Sequence, residues 1–347
     1  MILSRDHLTV LLNGLYETGT RRITVSHPCD EVGELLQFDL GDPFESPVRF
    51  TQSLYEYNDA RETVQRRYVQ DAYDDLPDDS TYVRCLVAGG VLDLHNRDAI
   101  EACVDRHGYR DLEAGHAPLV IGIDANIMPW RIANVLDIDH QQGTPDDRGR
   151  SPTNGYALAT GVKEELDWHY KQHQTSSLVT AFGEEFERLD NQPAGANREG
   201  FLGLYEYRRL MAERNIDVLE SDTGDEAIVD AYHTFDAESR KEVLLLSNDF
   251  GFIDVAEEAG LRAQHVDFPQ FLPDRSTATW DDFGSLLYHL AIRFGVIRLP
   301  GVTIYGLWNE KDGRHWQNEE LVIEARSPKV EPLLERDRTI AKAFDTE

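Results

Sequence analysis

The chain has 347 residues, a length that suits two domains or one domain with large additions. Its 64 Asp and Glu residues outnumber 34 Lys and Arg residues, which gives a net charge of −30, and only six of the basic residues are lysine. The sequence has no run of about 18 apolar residues and no C-x-x-C pair among its three cysteines, so we expect neither a membrane span nor a disulfide framework or thiolate zinc site.

Acid-rich, lysine-poor chains resemble the proteins of extreme halophiles, whose surfaces repel themselves at low salt and are screened at high salt. The acids are spread along the whole chain, which favours this interpretation. The alternative is an acidic protein that avoids nucleic acid. The net charge therefore says little about the partners of the protein.

Residues 1–115 are predicted to form an α+β region, and no motif in it indicates a role. Its first segment is apolar with helical spacing and contains acids, unlike a signal peptide, so a cytoplasmic protein is expected. The apolar stretch 82–94 fits either a buried strand or a helix. The predicted elements are a helix at 5–17, strands at 22–26 and 35–40, and helices at 59–74 and 98–106.

Residues 116–270 alternate between strand-like and helical segments, which predicts an α/β domain with a parallel sheet. The polar segment 137–155 is predicted to be a long loop. The predicted strands are the runs PLVIGID, IDVLES, EVLLLSND and RAQHVDF. The predicted helices are NIMPWRIANVLD, ALATGVKEELDWHYKQH, FLGLYEYRRLMAERN, DEAIVDAYHTF and GFIDVAEEAG.

Residues 271–347 are predicted to form a C-terminal extension of helix, β-hairpin and helix. An amphipathic helix is expected at 276–295, with Ser276 or Thr277 as its cap. The strand-like runs GVTIYGLW and ELVIEA follow, joined by a turn near Asp312. The tail is predicted to be helical from about residue 330 to 344.

Four acids of the central domain are predicted to lie near the carboxyl ends of the strands, where α/β sheets bind their ligands. Asp124 and Asp249 each end an apolar strand, and ligands bind beyond the carboxyl ends of such strands. Asp225 begins the helix that follows another strand, and Glu165 lies within a helix able to pack over the same edge. Mg²⁺ and Mn²⁺ take carboxylate oxygens as ligands, and two such ions can support phosphodiester cleavage.

Each of these acids also has a purely structural interpretation. Asp124 and Asp249 are good helix caps. Asp225 suits a helix dipole, with Thr223 and Glu226 forming a capping box. Glu165 fits a solvated helix face. The hypothesis of a metal site therefore depends on their order along the chain.

In that order, the motifs resemble those of PIN domains, nucleases related to flap endonucleases and ribonuclease H. The first is a strand ending in Asp with a small polar residue two later, as in Asp124 and Asn126. The second is a mid-helix Glu followed by Leu, matched by Glu165, with Glu164 as the alternative. Asp225 opens a helix with small apolar residues, and Ser247, Asn248 and Asp249 end an apolar strand.

Membership would imply a PIN-like central parallel sheet and a metal-dependent endonuclease acting most often on RNA. Asp124, Asp225, Asp249 and Glu165 would bind one or two Mg²⁺ or Mn²⁺ ions and form the catalytic set, and Asn126, Ser247 and Asn248 would orient them. The composition suggests a haloarchaeal member. A structure-specific DNA nuclease and a catalytically inactive binding or scaffold domain are the alternatives.

Two other features of the sequence are candidate sites. Glu165, His169 and His173 have a helical spacing compatible with zinc, without the H-E-x-x-H pattern. Trp308 and Trp316, with His315, are aromatic residues of the predicted hairpin that could stack on bases, and the stretch 326–342 has a net charge of +2. The sequence carries no signal for the oligomeric state.

Overall fold

A computed structural model describes residues 1–138, 150, 152–167 and 175–344 of the chain. The chain forms two compact units, and each is assembled from separated stretches of sequence. The antiparallel unit contains Met1–Leu92, Tyr170–Arg198 and Pro269–Glu347, and the parallel unit contains Asp93–His169 and Glu199–Phe268. The regions treated separately in the sequence, 1–115 and 271–347, thus both contribute to the antiparallel unit.

The antiparallel unit is built on an eight-stranded sheet. Its strands, in chain order, are β1 (Ile2–Ser4), β2 (Arg22–Ser26), β3 (Glu34–Asp39), β4 (Ser46–Phe50), β10 (Arg275–Ala278), β11 (Val296–Leu299), β12 (Val302–Tyr305) and β13 (Glu320–Ala325). They lie in the order β1-β13-β12-β11-β2-β3-β4-β10, and every neighbouring pair is antiparallel. The first strand therefore pairs with the last, although more than 300 residues separate them in sequence.

The most buried helix of this unit is α12 (Trp280–Phe294). It begins at Thr279, whose side chain accepts a hydrogen bond from the backbone N–H of Asp282 in a capping box. The predicted caps Ser276 and Thr277 were wrong, because residues 275–278 pair with β4 instead. The other helices are α1 (Thr9–Glu17), α2 (Leu54–Arg67), α3 (Gln70–Asp75), α4 (Asp79–Ala88), α8 (Ser176–Phe182), α13 (Gly313–Gln317) and α14 (Glu331–Phe344).

The predicted C-terminal hairpin is present in altered form. β11 and β12 form one hairpin, and β12 also pairs with β13. Asp312 does not sit in a tight turn, because its side chain caps the short helix α13. The ambiguous stretch 82–94 is helical at its start, as α4, and the predicted helix 59–74 is interrupted between α2 and α3.

The parallel unit confirms the expected α/β class, with a five-stranded parallel sheet flanked by helices. Its strands are β5 (Leu119–Ile123), β6 (Tyr156–Ala159), β7 (Ile216–Leu219), β8 (Glu242–Ser247) and β9 (Arg262–His265), in the order β7-β6-β5-β8-β9. Its helices are α5 (Arg97–His107), α6 (Ile132–Val135), α7 (Thr160–Leu166), α9 (Asn197–Glu213), α10 (Asp225–Ser239) and α11 (Phe250–Glu258).

Strand β6 is the element of this sheet that the sequence pattern did not predict. Its last three residues, Ala-Leu-Ala, include strong helix formers and begin the helix ALATGVKEELDWHYKQH that the sequence pattern predicts. In the structure they pair with β5 on one side and β7 on the other. Pairing on both sides outweighs the local propensity, and α7 begins directly after the strand.

Tyr232 of α10 fixes this helix across the sheet. Its hydroxyl donates a hydrogen bond to the carbonyl of Ala157 in β6 over 3.0 Å. A Cβ atom at Gly122 of β5 would clash with Leu245 Cδ2 and would lie 2.9 Å from the Tyr232 ring. A side chain at position 122 would therefore push against both Leu245 and Tyr232, the latter in the helix that carries Asp225 at its start.

Within the described ranges, no helix is both long and apolar enough to cross a bilayer.

Candidate functional site

The candidate site lies where the order of the strands changes direction. From β5 the chain proceeds to β6 and β7 on one side of the sheet, then returns to β8 and β9 on the other side of β5. Asp124 follows the last residue of β5, and Ser247 ends the adjacent strand β8. The carboxyl ends of two strands at such a reversal form the usual ligand-binding crevice of an open α/β sheet.

Ser247 is the centre of a hydrogen-bond network at this crevice. Its fully buried hydroxyl donates to Asp124 Oδ2 over 2.6 Å. Ser247 Oγ also accepts hydrogen bonds from Asn126 Nδ2 over 3.1 Å and from the backbone N–H of Asp249 over 2.9 Å. These three bonds use its one proton and both lone pairs, so the orientation of the Asp124 carboxylate is fixed.

The other predicted orienting residues join the same network. Asn126 Oδ1 accepts a hydrogen bond from the backbone N–H of Asn248 over 3.2 Å. The side chain of Asn248 donates to the carbonyl of Val266, beyond the end of β9, over 2.7 Å. Asn126, Ser247 and Asn248 thus link the ends of three neighbouring strands.

Asp124 is buried, with 6% of its surface exposed, and it sits in an unfavourable environment for a negative charge. Burial raises the pKa of its carboxyl group to about 6, and the nearby carboxylates of Glu165 and Asp225 contribute to the increase. The hydrogen bonds from Ser247 and from the Ala125 N–H, 2.6 Å from Oδ1, act in the opposite direction.

Glu165 approaches the site through the loop that precedes α10. Its Oε1 accepts a hydrogen bond from the backbone N–H of Gly224 over 2.8 Å, directly before Asp225. Glu164, the alternative, is exposed. Of the two, Glu165 is therefore the acid that faces the start of α10.

A pair of hydroxyl side chains fixes this loop to α7. Thr160 Oγ1 donates to the carbonyl of Ser221 over 3.1 Å and accepts from the Ser221 N–H over 2.9 Å. Ser221 Oγ accepts from the Gly161 N–H over 2.9 Å. We refer to these contacts of Thr160, Gly161 and Ser221 as the α7 clasp. No local sequence pattern relates residues 60 or 61 positions apart, so these contacts could not be predicted from the sequence.

Asp225 and Asp249 are the exposed members of the acidic set. The pKa of Asp225 is raised by partial burial and by the charge of Asp249. Asp249 also caps α11, since its Oδ1 accepts from the Gly251 N–H over 2.7 Å. Asp225 has no capping role: Gly224 precedes α10 as its cap, and the predicted capping box with Thr223 and Glu226 does not form.

The charges of Glu165 and Asp225 raise the pKa of Asp124, and the charge of Asp249 raises the pKa of Asp225. Electrostatic interactions therefore connect all four predicted acids. In the described part of the chain, however, no three His, Cys, Asp or Glu residues are close enough together to form a ready-made metal site. The donor set is carboxylate, as Mg²⁺ and Mn²⁺ prefer, and a bound cation would relieve the repulsion at Asp124. Binding of an ion by three of these acids would require their side chains to come closer together than they are in the structure.

The other features considered in the sequence gain no support as sites. His169 and His173 of the zinc alternative lie outside the described residues. Trp308 and Trp316 are buried, at 6% and 2% exposure, on either side of the buried Lys311 ammonium group, so neither ring is available for stacking on a base. In the stretch 326–342, Arg326 pairs with Glu185, and Arg336 pairs with Glu17 and Asp337.

Comparisons of the chain with protein-family models, with curated proteins and with solved structures found no match.

Proposed function

We propose that the parallel unit is a PIN-type nuclease domain that hydrolyses phosphodiester bonds in RNA with one or two Mg²⁺ or Mn²⁺ ions. One observation carries most weight: Asp124 follows β5 at the strand reversal, and its burial, together with the charges of Glu165 and Asp225, raises the pKa of its carboxyl group to about 6. Burying a carboxylate among other carboxylates is costly unless a cation compensates for it. Such clusters are typical of functional sites.

Each acid has a distinct role in this proposal. Asp124, Asp225 and Asp249 would bind the ion, and Glu165 would be a further ligand or would orient the attacking water. When bound, the ion supplies positive charge that activates water and stabilises the leaving oxygen. Water adds to phosphorus, the bond from phosphorus to the leaving oxygen breaks, and that oxygen takes up a proton.

Ser247 and Asn126 would act by positioning. The Ser247 hydroxyl aims the Asp124 carboxylate, and Asn126 holds Ser247 in place. Residues that orient metal ligands in this way typically contribute about 10- to 100-fold to metal affinity or activity.

A second candidate function is nucleic-acid binding without catalysis. A binding domain needs no metal, so its affinity for RNA would be the same in Mn²⁺ and in EDTA. The two functions predict different responses to Mn²⁺.

Cleavage of matched RNA and DNA strands in high salt, with Mn²⁺ or with EDTA, tests the nuclease. We expect RNA cleavage that requires the metal, and a loss of about 100-fold or more in Asp124→Asn, since removing a ligand should cost at least as much as removing its support. Asp254→Asn is the matched control, because Asp254 is exposed on α11 outside the acidic set. Undiminished cleavage by Asp124→Asn would contradict the proposal, and preferential cleavage of DNA would correct its substrate.

A further inference from the structure

An aromatic side chain stands beside the acidic set and takes no part in the function proposed so far. Phe250 directly follows Asp249 and is the first residue of α11. Its side chain is 67% exposed. A single exposed phenylalanine needs no explanation by itself. The surroundings of Phe250, however, are more specific than those of an isolated surface residue.

The Phe250 ring is supported from one side by His265, the last residue of β9. The two rings are stacked, with centroids 3.8 Å apart and planes 8° from parallel. His265 Nε2 lies 3.1 Å from the carbonyl oxygen of Asn248 and donates to it. The imidazole is thus attached to the network of Asn126, Ser247 and Asn248 that also orients Asp124.

This arrangement fixes a flat aromatic surface at a defined place relative to the proposed catalytic acids. One face of the Phe250 ring is covered by the imidazole, and most of the side chain is open to solvent. Because 67% of the side chain is exposed, the face opposite the imidazole is the one on which a planar group would stack. Nucleobases are planar, and proteins that bind single strands commonly stack bases on aromatic side chains.

The charge of the chain makes such a contact more important. With a net charge of −30, the protein offers little general attraction to phosphate. Stacking is short-ranged and does not depend on counter-ion release. A single-stranded ligand would therefore gain affinity from its bases rather than from its backbone.

We propose that Phe250, backed by His265, is a stacking platform for an unpaired base of a single-stranded nucleic acid next to the acidic cluster. The inference rests on the proposed nuclease function for its choice of ligand. A base within a duplex is stacked on its neighbours and does not present a free face. The platform thus makes the site selective for single strands over duplexes.

Binding of a labelled single-stranded RNA and of its duplex, measured by fluorescence anisotropy in EDTA and high salt, tests the platform without cleavage. We expect Phe250→Leu to weaken single-strand binding by about 5- to 150-fold, the range for loss of one stacked base. Phe250→Trp should retain the affinity to within about twofold, since it keeps an aromatic face. Phe44→Leu is the matched control, because Phe44 is also exposed, at 83%, and lies in the antiparallel unit.

Several results would overturn the platform. The platform is ruled out if Phe250→Leu binds the single strand as tightly as the wild type does, or if the wild type does not bind the single strand. It is also ruled out if the wild type binds the duplex as tightly as the single strand. A shift from dimer to monomer in Phe250→Leu at unchanged RNA affinity, seen by sedimentation, would assign the ring to a protein interface instead.

The platform and the nuclease can fail separately. RNA cleavage that is lost in Asp124→Asn but keeps its KM in Phe250→Leu would leave the nuclease and remove the platform. Binding that depends on Phe250, without any metal-dependent cleavage, would leave the platform and remove the nuclease.

Discussion

At the scale of single residues, Asp124 illustrates a conflict between stability and function. Its carboxyl group is buried, and the pKa of about 6 is well above the ordinary value of 3.8. The folded protein therefore binds this proton more tightly than the unfolded chain does. As the pH rises from about 4 to above 6, the free energy of unfolding falls, because the ionised carboxylate is tolerated less well in the folded state.

This conflict predicts that the free energies of unfolding of the wild type and of Asp124→Asn, measured in EDTA, differ by an amount that depends on pH. Between pH 5 and pH 8 the wild type should lose about 1.4 kcal/mol of stability relative to the variant, which cannot titrate at this position. Scanning calorimetry should show this as a relative decrease of a few degrees in the Tm of the wild type. Asp254→Asn should follow the wild type. If the Tm of the wild type and the Tm of Asp124→Asn changed equally with pH, the raised pKa of Asp124 would be contradicted.

The identities of the polar residues at the site were largely predictable at this scale. The sequence singled out Asn126, Ser247 and Asn248, and the structure links them by hydrogen bonds. A strand that ends in a short polar run directs those residues to a sheet edge whatever its neighbours are. Phe250 and His265 were not identified, because their stacking joins a helix start to a different strand.

At the scale of elements, the α7 clasp holds the helix of Glu165 against the loop before Asp225. Both acids reach the site from elements whose placement depends on this contact. If Thr160 lost its hydroxyl group, the backbone N–H and carbonyl of Ser221 would each lose a hydrogen bond. Both residues are only partly buried, so water can replace part of this bonding and the main expected effect is a less firmly held loop.

We expect Thr160→Val to weaken Mn²⁺ binding by about tenfold, because the loop before α10 would no longer be fixed. Thr160→Ser keeps the hydroxyl and should bind Mn²⁺ like the wild type. Calorimetric titration of both variants measures the effect. Equal affinities in Thr160→Val and Thr160→Ser would show that the clasp does not position the acids.

Elements whose pattern is decided locally were predicted well, and those decided by distant partners were not. The strands β5, β7, β8 and β9 follow from short apolar runs between turns. The strand β6 has helix-forming residues and exists because β5 and β7 pair with it. Likewise, residues 275–278 continue a helical pattern into α12 but extend to pair with β4.

At the scale of the whole molecule, the sequence indicates the class of the central region but not how the chain is divided. Strand β1 pairs with β13, and β2 with β11, across nearly the full length of the sequence. No periodicity or turn signal relates such distant segments. The parallel unit has sequence-local crossovers from strand to helix to strand, so its class could be inferred.

The net charge of −30 also acts at this scale. Self-repulsion among surface acids is long-ranged at low salt, whereas at about 1 M salt the Debye length is about 3 Å. Asp124 is buried, so its interaction with a bound ion is screened much less than that of a surface acid. Specific ion binding at the site should therefore remain measurable in salt that suppresses diffuse attraction of cations to the surface.

Titration of Mn²⁺ by calorimetry in about 1 M KCl at pH 8 separates these two kinds of binding. We predict one or two specific sites in the wild type, with affinity lost or reduced by about 100-fold in Asp124→Asn, Asp225→Asn and Asp249→Asn and unchanged in Asp254→Asn. Absence of specific binding in the wild type, or equal binding by all the variants, would contradict a cation site at the four acids.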